Sequence, residues 1–233
     1  MKTLGFVGMA ALVLATAQNA FAEDRISATR TFNTAPEHAL ELTLGAGYTQ
    51  GFGDVSKDQS ASLTQMGQAG MGLQVGIGYR FDPRLMVGFY GEAAGYDPGS
   101  RVDKHADVFS AAAGLQAQWH FIPYAQLDPW VGLGTGWRGY WVREDDAESY
   151  SLQGLDLARI QAGVDYRLAP GISLSPLLSL SVSKFFADRT PSDRDYQEID
   201  RPTSNIFLFA GLMGRFDIGP QRTIGGRSAV ASR

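Results

Sequence analysis

Two short motifs have the residue types and spacing of acyl-transfer or nucleotide chemistry. Residues 181–184, Ser-Val-Ser-Lys, match S-x-x-K, in which a lysine assists a serine nucleophile. That motif begins a helix in the enzymes that use it, whereas here it ends a run of alternating apolar residues. Residues 132–136, Gly-Leu-Gly-Thr-Gly, have the spacing of a phosphate-binding loop, but no helical pattern follows them. We interpret both motifs as chance matches within strands.

The three histidines, His38, His105 and His120, are the remaining candidates for a general base. His38 precedes the first predicted strand, His120 lies near a short turn, and His105 lies in a long polar connection. No His-x-Ser pair accompanies His105, and a nucleophile must lie within reach of its base before pKa values matter. We therefore predict that the protein is not an enzyme.

An acidic group in another connection has the residue types that bind divalent cations. It comprises Glu144, Asp145, Asp146 and Glu148, which could bind a cation directly or bridge through one to lipopolysaccharide. The spacing lacks the glycine of a calcium-binding loop, so we predict a solvated loop without a metal. Since the chain has no cysteine, thiolate metal sites, disulfides and cysteine nucleophiles are excluded. No cofactor is predicted.

The length and net charge of the chain indicate one ordinary domain. The chain has 233 residues, 44% of them hydrophobic, and a formal net charge of -4. These values indicate neither a disordered chain nor a basic protein that binds nucleic acid.

The first residues have the organisation of an export signal. A positive start at Met1-Lys2 is followed by a short apolar run and then by Ala20-Phe21-Ala22, an A-x-A cleavage site. The run is shorter than the roughly 20 residues that a spanning helix needs. We predict a signal peptide over 1–22, cleaved near Ala22, and a periplasmic N-terminal segment over 23–38.

The chain from residue 39 to residue 218 alternates between apolar and small or polar residues, a period of two that is typical of strands. The eight predicted strands cover 39–50, 70–81, 85–96, 107–121, 129–142, 155–168, 172–185 and 205–218. Each is near the roughly 9–11 residues of a tilted membrane strand, with a few residues of overhang. Pro176 cannot donate to a strand ladder, so we expect a bulge or a local bend there.

Short and long connections alternate along the chain. The short ones cover 82–84, 122–128 and 169–171, and the long polar ones cover 51–69, 97–106, 143–154 and 186–204. Outer-membrane barrels have short periplasmic turns and long extracellular loops. The pattern therefore predicts an up-and-down antiparallel transmembrane barrel, with both termini in the periplasm.

The aromatic residues indicate which face of the strands contacts lipid. A soluble barrel such as a lipocalin encloses its apolar face, whereas a membrane barrel turns that face outward. Tyr and Trp concentrate at boundaries between apolar and aqueous regions. The alternation places aromatic residues outward near both strand ends, with aliphatic residues between, and Phe185 is also assigned to this outer face. The predicted girdles contain Tyr48, Tyr79, Trp119, Trp137, Trp141, Tyr166 and Phe216.

The opposite face is rich in glycine, serine and glutamine and carries charges of both signs. The interior of an eight-stranded barrel is just wide enough for side chains to fill it. Because unpaired buried charge is costly, the two signs are expected to pair there. We predict a polar network that plugs the lumen, comprising Arg80, Glu92, Gln116, Arg138, Asp165, Arg167 and Arg215.

The last predicted strand, Ile206-Phe-Leu-Phe-Ala-Gly-Leu-Met-Gly-Arg-Phe-Asp-Ile218, resembles the closing strand of small outer-membrane barrels. The chain is similar to the OmpA/OmpX-like outer membrane protein β-barrel superfamily over nearly all of its predicted mature length. The resemblance implies the outer membrane of a diderm bacterium, and it implies that Phe216 belongs to the signal read by the barrel-assembly machinery. The chain departs from the family in one respect: the family's chain usually ends with this strand, whereas here residues 219–233 follow it. We predict that this tail is periplasmic.

We expect a structural or interaction protein that contacts outer-membrane lipid and lipopolysaccharide and acts through its extracellular loops, with its ligand left open. The alternatives are a narrow porin-like channel and a lipid A-modifying enzyme, since lipid A deacylases and palmitoyl transferases are barrels of similar size. A soluble periplasmic barrel similar to a lipocalin is a third alternative.

Overall fold

The computed structural model describes residues 35–57, 62–144, 150–169, 171–189 and 195–219, which belong to one compact unit. The predicted signal peptide, most of the segment at 23–38, and all of the predicted tail except Gly219 lie outside these residues. No helix in the described part of the chain has the length and apolarity needed to span a membrane.

Nine strands and one helical turn form the described structure. They are β1 (Ala39–Phe52), α1 (Leu63–Met66), β2 (Gly67–Arg80), β3 (Leu85–Pro98), β4 (Asp107–His120), β5 (Leu127–Arg143), β6 (Tyr150–Ala169), β7 (Ile172–Arg189), β8 (Gln197–Glu198) and β9 (Ser204–Ile218). Apart from the two-residue β8, each strand pairs with two antiparallel neighbours, and the β6–β7 and β1–β9 pairings close the sheet on itself. The predicted eight-stranded antiparallel barrel is confirmed.

The period of two in the sequence becomes an inner and an outer face. Along β7, for example, the inward row of serines is buried, while Leu174, Leu178 and Leu180 are exposed on the outside. The same alternation holds in β1, where Glu41 and Thr43 are buried and Leu44 is exposed. Successive side chains of a strand lie on opposite faces, so where the alternation is unbroken the small and polar residues of a strand are enclosed together.

Of the two distortions expected at Pro176, a bulge or a local bend, the bulge is wrong, because the register passes through this residue without a shift. Pro176 pairs with Leu212 of β9 in an unbroken register. Around Pro176, pairing with β6 is interrupted between Gly163–Leu177 and Tyr166–Leu174, and the register is the same on both sides of this gap. The missing donor therefore leaves a gap in the ladder and does not insert a residue into the strand.

At the ends away from the short turn that joins them, β6 and β7 are longer than predicted. They continue to pair up to Ser151 and Arg189, through register shifts at Gln153/Gly154 and Asp156/Ala158. Phe185 was assigned to the outer face, but it is fully buried. It faces inward because the alternation of β7 is unbroken from Ile172 onward.

The two ends of the barrel differ. We call the end with the connections after β1, β3, β5 and β7 the loop end, and the opposite end the turn end. At the loop end, buried apolar side chains from strands and connections form one cluster, the loop-end plug. Its members include Val55, Leu63, Met66, Tyr96, Val108, Tyr140, Leu152, Phe185, Ile199 and Phe207. The connection between β1 and β2, which contains α1, therefore packs into the mouth of the barrel.

Candidate functional site

All seven residues predicted to form a lumen network are buried inside the barrel. The charged side chains form two layers, one near the middle of the strands and one near the turn end. Between the layers lie Gln116, Gln118, Gln161 and a second apolar cluster of Trp130, Leu177, Phe209 and Met213. From loop end to turn end, the lumen is thus filled by an apolar plug, ions, a mixed layer, and ions again.

The central ion layer consists of Glu92, Arg138, Asp156 and Arg159. Arg138 donates from Nε to Oδ1 of Asp156 over 2.7 Å and from Nη2 to Oδ2 over 3.1 Å. It also donates from Nη1 to Oε1 of Glu92 over 3.2 Å, while Arg159 Nη1 donates to Oε2 of the same carboxylate over 2.8 Å. The charges of two guanidiniums and two carboxylates cancel, so the layer is electrically neutral without a bound ion.

Neutral side chains complete the central ion layer. The hydroxyls of Tyr90 and Ser183 both donate to Asp156, the former over 3.2 Å, and the amide of Gln74 donates to Glu92 over 3.0 Å. Space for Tyr90 comes from the glycines of β5, because a Cβ on Gly136 would lie 2.8 Å from the Tyr90 hydroxyl. The glycine motif at 132–136 therefore makes room for a lumen side chain, and it is not followed by a helix.

The turn-end ion layer is larger. It contains Glu41, Arg80, His120, Asp128, Asp165, Arg167, Arg215 and Asp217. Glu41 accepts from both Arg80, over 2.5 Å, and Arg215. Arg215 Nε lies 2.9 Å from Oδ2 of Asp165. Each guanidinium of this layer contacts at least one carboxylate, so the layer is a network of ion pairs.

Sequence analysis missed Asp156 and Arg159. Strict alternation would place Asp156 on the same face as Ile160, which is exposed. The register shift between Asp156 and Ala158 exposes Leu157 and Ala158 together and so turns Asp156 inward, whereas Arg159 lies inward by the same alternation as Gln161. Such a bulge changes the face of every residue on one side of it. The only sign of this inward orientation in the sequence is that two ionisable residues stand in a stretch rich in apolar ones.

Three residues of the turn-end ion layer have the atom types of a metal site. Ligand atoms of His120, Asp128 and Asp165 lie within 4.8 Å of one another. However, His120 Nδ1 lies 2.9 Å from Oδ2 of Asp128, which also accepts from Arg167 over 3.0 Å. Asp165 faces Arg215, as described above. The guanidiniums already supply the positive charge that a metal would bring, so we assign these residues to the ion network.

The outside of the barrel is apolar. Exposed residues near the middle of the strands include Leu44, Leu73, Val75, Phe89, Leu115, Leu133, Ile160 and Leu178. Of the residues predicted to form girdles, Tyr79, Trp119, Tyr166 and Phe216 lie on the outer face toward the turn end, and Tyr48, Trp137 and Trp141 lie on it toward the loop end. An exposed apolar surface of this extent needs an apolar partner.

The residues of the possible catalytic motifs lie apart. Ser181 faces the lumen and is buried, whereas Lys184 lies on the outer face of the same strand. His120 belongs to the turn-end ion layer, and His38 lies at the turn end, 3.5 Å from the Tyr79 hydroxyl. In the acidic group of the third long connection, Glu144 accepts from a backbone N–H, and Asp145, Asp146 and Glu148 lie outside the described residues.

His105 borders a cleft on the outer wall at the loop end, which we call the outer cleft. The outer cleft has a volume of about 810 Å³ and is lined by residues of β1 to β5 and of the connection after β3. Its walls include Tyr48, Met71 and Phe109, and its rim carries Lys104, Arg143, Asp97 and Asp107. Hydrogen bonds from the backbone N–H of His105, together with its ring, hold the pKa of Asp103 below its ordinary value.

Comparisons with solved structures return several small barrels. They include Neisserial surface protein A, with 14% identity, coverage of 76% of this chain and 96% of that protein, and a TM-score of 0.49. Ail of Yersinia pestis has 12% identity, coverage of 78% and 100%, and a TM-score of 0.46. OprG of Pseudomonas aeruginosa has 14% identity, coverage of 78% and 99%, and a TM-score of 0.45. No protein-family model and no curated protein matches the sequence.

Proposed function

We propose that the protein is an integral outer-membrane barrel that does not conduct, and that it acts as a structural or interaction protein through its loop end and outer wall. One observation carries this proposal: the ionic side chains are enclosed while the aliphatic ones face outward. Arg80 and Arg138 have no accessible surface, whereas Leu133 is 65% exposed. Only a hydrocarbon solvent favours that inversion, because in water it would leave the apolar surface unpaired.

The filled lumen argues against the channel alternative. Both ion layers and the loop-end plug lie across the axis of the barrel, and their large side chains are inaccessible to water. An ion crossing the barrel would have to separate charge-assisted pairs in both layers. The proposed function therefore depends on the surfaces of the barrel and not on transport through its lumen.

The outer cleft also favours binding over the lipid-modifying alternative. His105, whose ring lies 3.2 Å from the carboxylate of Asp103, lines the cleft, but serine, threonine and cysteine do not occur among the residues that line it. An acyl-transfer enzyme at the outer leaflet needs such a nucleophile beside its base.

Planar-bilayer recording of the refolded mature chain tests the proposal, with a general porin as positive control in the same apparatus. We expect stable insertion, seen as heat-modifiable mobility on a detergent gel, and no discrete conductance steps. Reproducible steps from the inserted protein would overturn the closed lumen. A chain that stays in plain buffer as a monomer would overturn the membrane location.

A further inference from the structure

The outer cleft continues toward the membrane as a trough in the outer wall. At the level of Tyr48 the register aligns Met71, Gly95 and Phe109 on β2, β3 and β4. Phe109 stacks on Trp141 of β5, with ring centroids 5.0 Å apart and an interplanar angle of 14°. A Cβ added to Gly95 would meet nothing within 4 Å, so the surface between these larger side chains is open.

Small residues extend the trough along β3 and β4. Below Gly95 the outward positions of β3 are Ala93 and Gly91, which face Ala111 and Ala113 of β4. The trough is bordered by Leu73 and Val75 on β2 and by Trp137 on β5. Phe89 and Leu115 close it toward the membrane centre. Four residues of strand span roughly 13 Å, a length that suits part of an extended acyl chain lying against the wall.

The rim of the outer cleft is polar and carries charges of both signs. Arg143 lies over the Phe109 ring, with its guanidinium carbon 4.9 Å from the ring centroid. In the described part of the chain neither Arg143 nor Lys104 forms an ion pair. Both cations can therefore engage a phosphate, while Asp97 and Asp107 offer acceptors for hydroxyl or amide groups of a sugar.

We propose that the outer cleft and its trough bind one phosphorylated, acylated glycolipid of the outer leaflet, the lipid A part of lipopolysaccharide. An acyl chain lies along the β3–β4 trough, and a phosphate contacts Lys104 and Arg143 at the rim. The mixed charges favour a phosphorylated sugar over an anionic phospholipid headgroup, because the two acids repel a phosphate alone but accept hydrogen bonds from sugar hydroxyls. This inference rests on the proposed outer-membrane location and adds a specific lipid partner to it.

Native mass spectrometry of the mature chain in detergent tests the proposal, with bis-phosphorylated lipid A, dephosphorylated lipid A and phosphatidylglycerol as probes. Gly95→Leu puts a side chain into the trough at a position where its Cβ meets nothing within 4 Å, and we expect it to weaken lipid A binding at least about tenfold. The matched control, Ala162→Leu, adds a similar side chain at an exposed outward position of β6. It should bind as the parent does.

A second pair of variants tests the rim. Lys104→Gln combined with Arg143→Gln should weaken binding of the phosphorylated lipid about tenfold and leave binding of the dephosphorylated lipid nearly unchanged. Arg84→Gln removes an exposed cation at the turn end and should change neither.

The outcomes distinguish the proposed lipid site from the proposed membrane location. If the parent chain inserts but Gly95→Leu binds lipid A as strongly as Ala162→Leu does, the lipid site is wrong and the membrane barrel stands. Equal binding of phosphatidylglycerol would overturn the glycolipid assignment. Failure of the parent chain itself to insert would overturn the proposed function and the lipid site together. Heat-modifiable mobility of each variant verifies that it is folded.

Discussion

Replacing Arg138 with methionine removes the centre of the central ion layer and should destabilise the barrel strongly. The substitution deletes four donated hydrogen bonds, two to Asp156 and two to Glu92. Glu92 keeps Arg159 and Gln74 as partners, but Asp156 keeps only neutral donors. One carboxylate is thus left buried without a counterion, for which we expect a loss of about 3–5 kcal/mol in the free energy of unfolding.

Urea unfolding of the inserted protein in lipid vesicles, followed by tryptophan fluorescence, measures this loss. The control combines Arg138→Met with Asp156→Asn, which leaves one balanced pair, Arg159 and Glu92, 2.8 Å apart. The double variant should regain about 1–3 kcal/mol relative to Arg138→Met alone. A loss below about 1 kcal/mol for the single variant, which is typical of a solvated pair, would refute the reasoning because it would mean that water fills the lumen.

Two further predictions concern the wall. Val75→Arg places a charge on the outer face at mid-strand, where Val75 is 53% exposed, and should cost roughly 2–4 kcal/mol in vesicles, with Val75→Leu as the nearly neutral control. Gly114→Val should abolish the heat-modifiable folded band, because a Cβ there would lie 2.1 Å from the carbonyl oxygen of Thr135, whereas Gly95→Ala should keep that band. A folded Gly114→Val barrel would contradict the close approach of β4 and β5.

The sequence alone predicts the eight long strands and most of their two faces, because these depend on local alternation. The position of Arg138 in the lumen follows from that period alone. Asp156 could not be predicted to face inward, because its orientation depends on a register shift against β7, whereas Arg159 shares the inward face of Gln161 and was overlooked. A bulge depends on how two strands pair, which the sequence of one strand does not reveal.

The loop-end plug and the outer cleft were also beyond sequence analysis. Val55 and Leu63 lie in a connection predicted only as a long polar loop, yet both are fully buried. The cleft depends on the lateral alignment of Met71, Gly95 and Phe109 across three strands. Such alignment across the barrel is a tertiary property, set by the pairing of strands with one another.

Quenching of single tryptophans by lipid tests the central claim most directly. Trp119 is 42% exposed on the outer face, whereas Trp130 is 1% exposed inside the lumen. Variants that keep one of them, with the other tryptophans replaced by phenylalanine, would be inserted into vesicles of phospholipid brominated near the carbonyl end. We predict strong quenching of Trp119 and little quenching of Trp130. Equal quenching of both, or stronger quenching of Trp130, would contradict a barrel that faces lipid with its apolar side and encloses its charges.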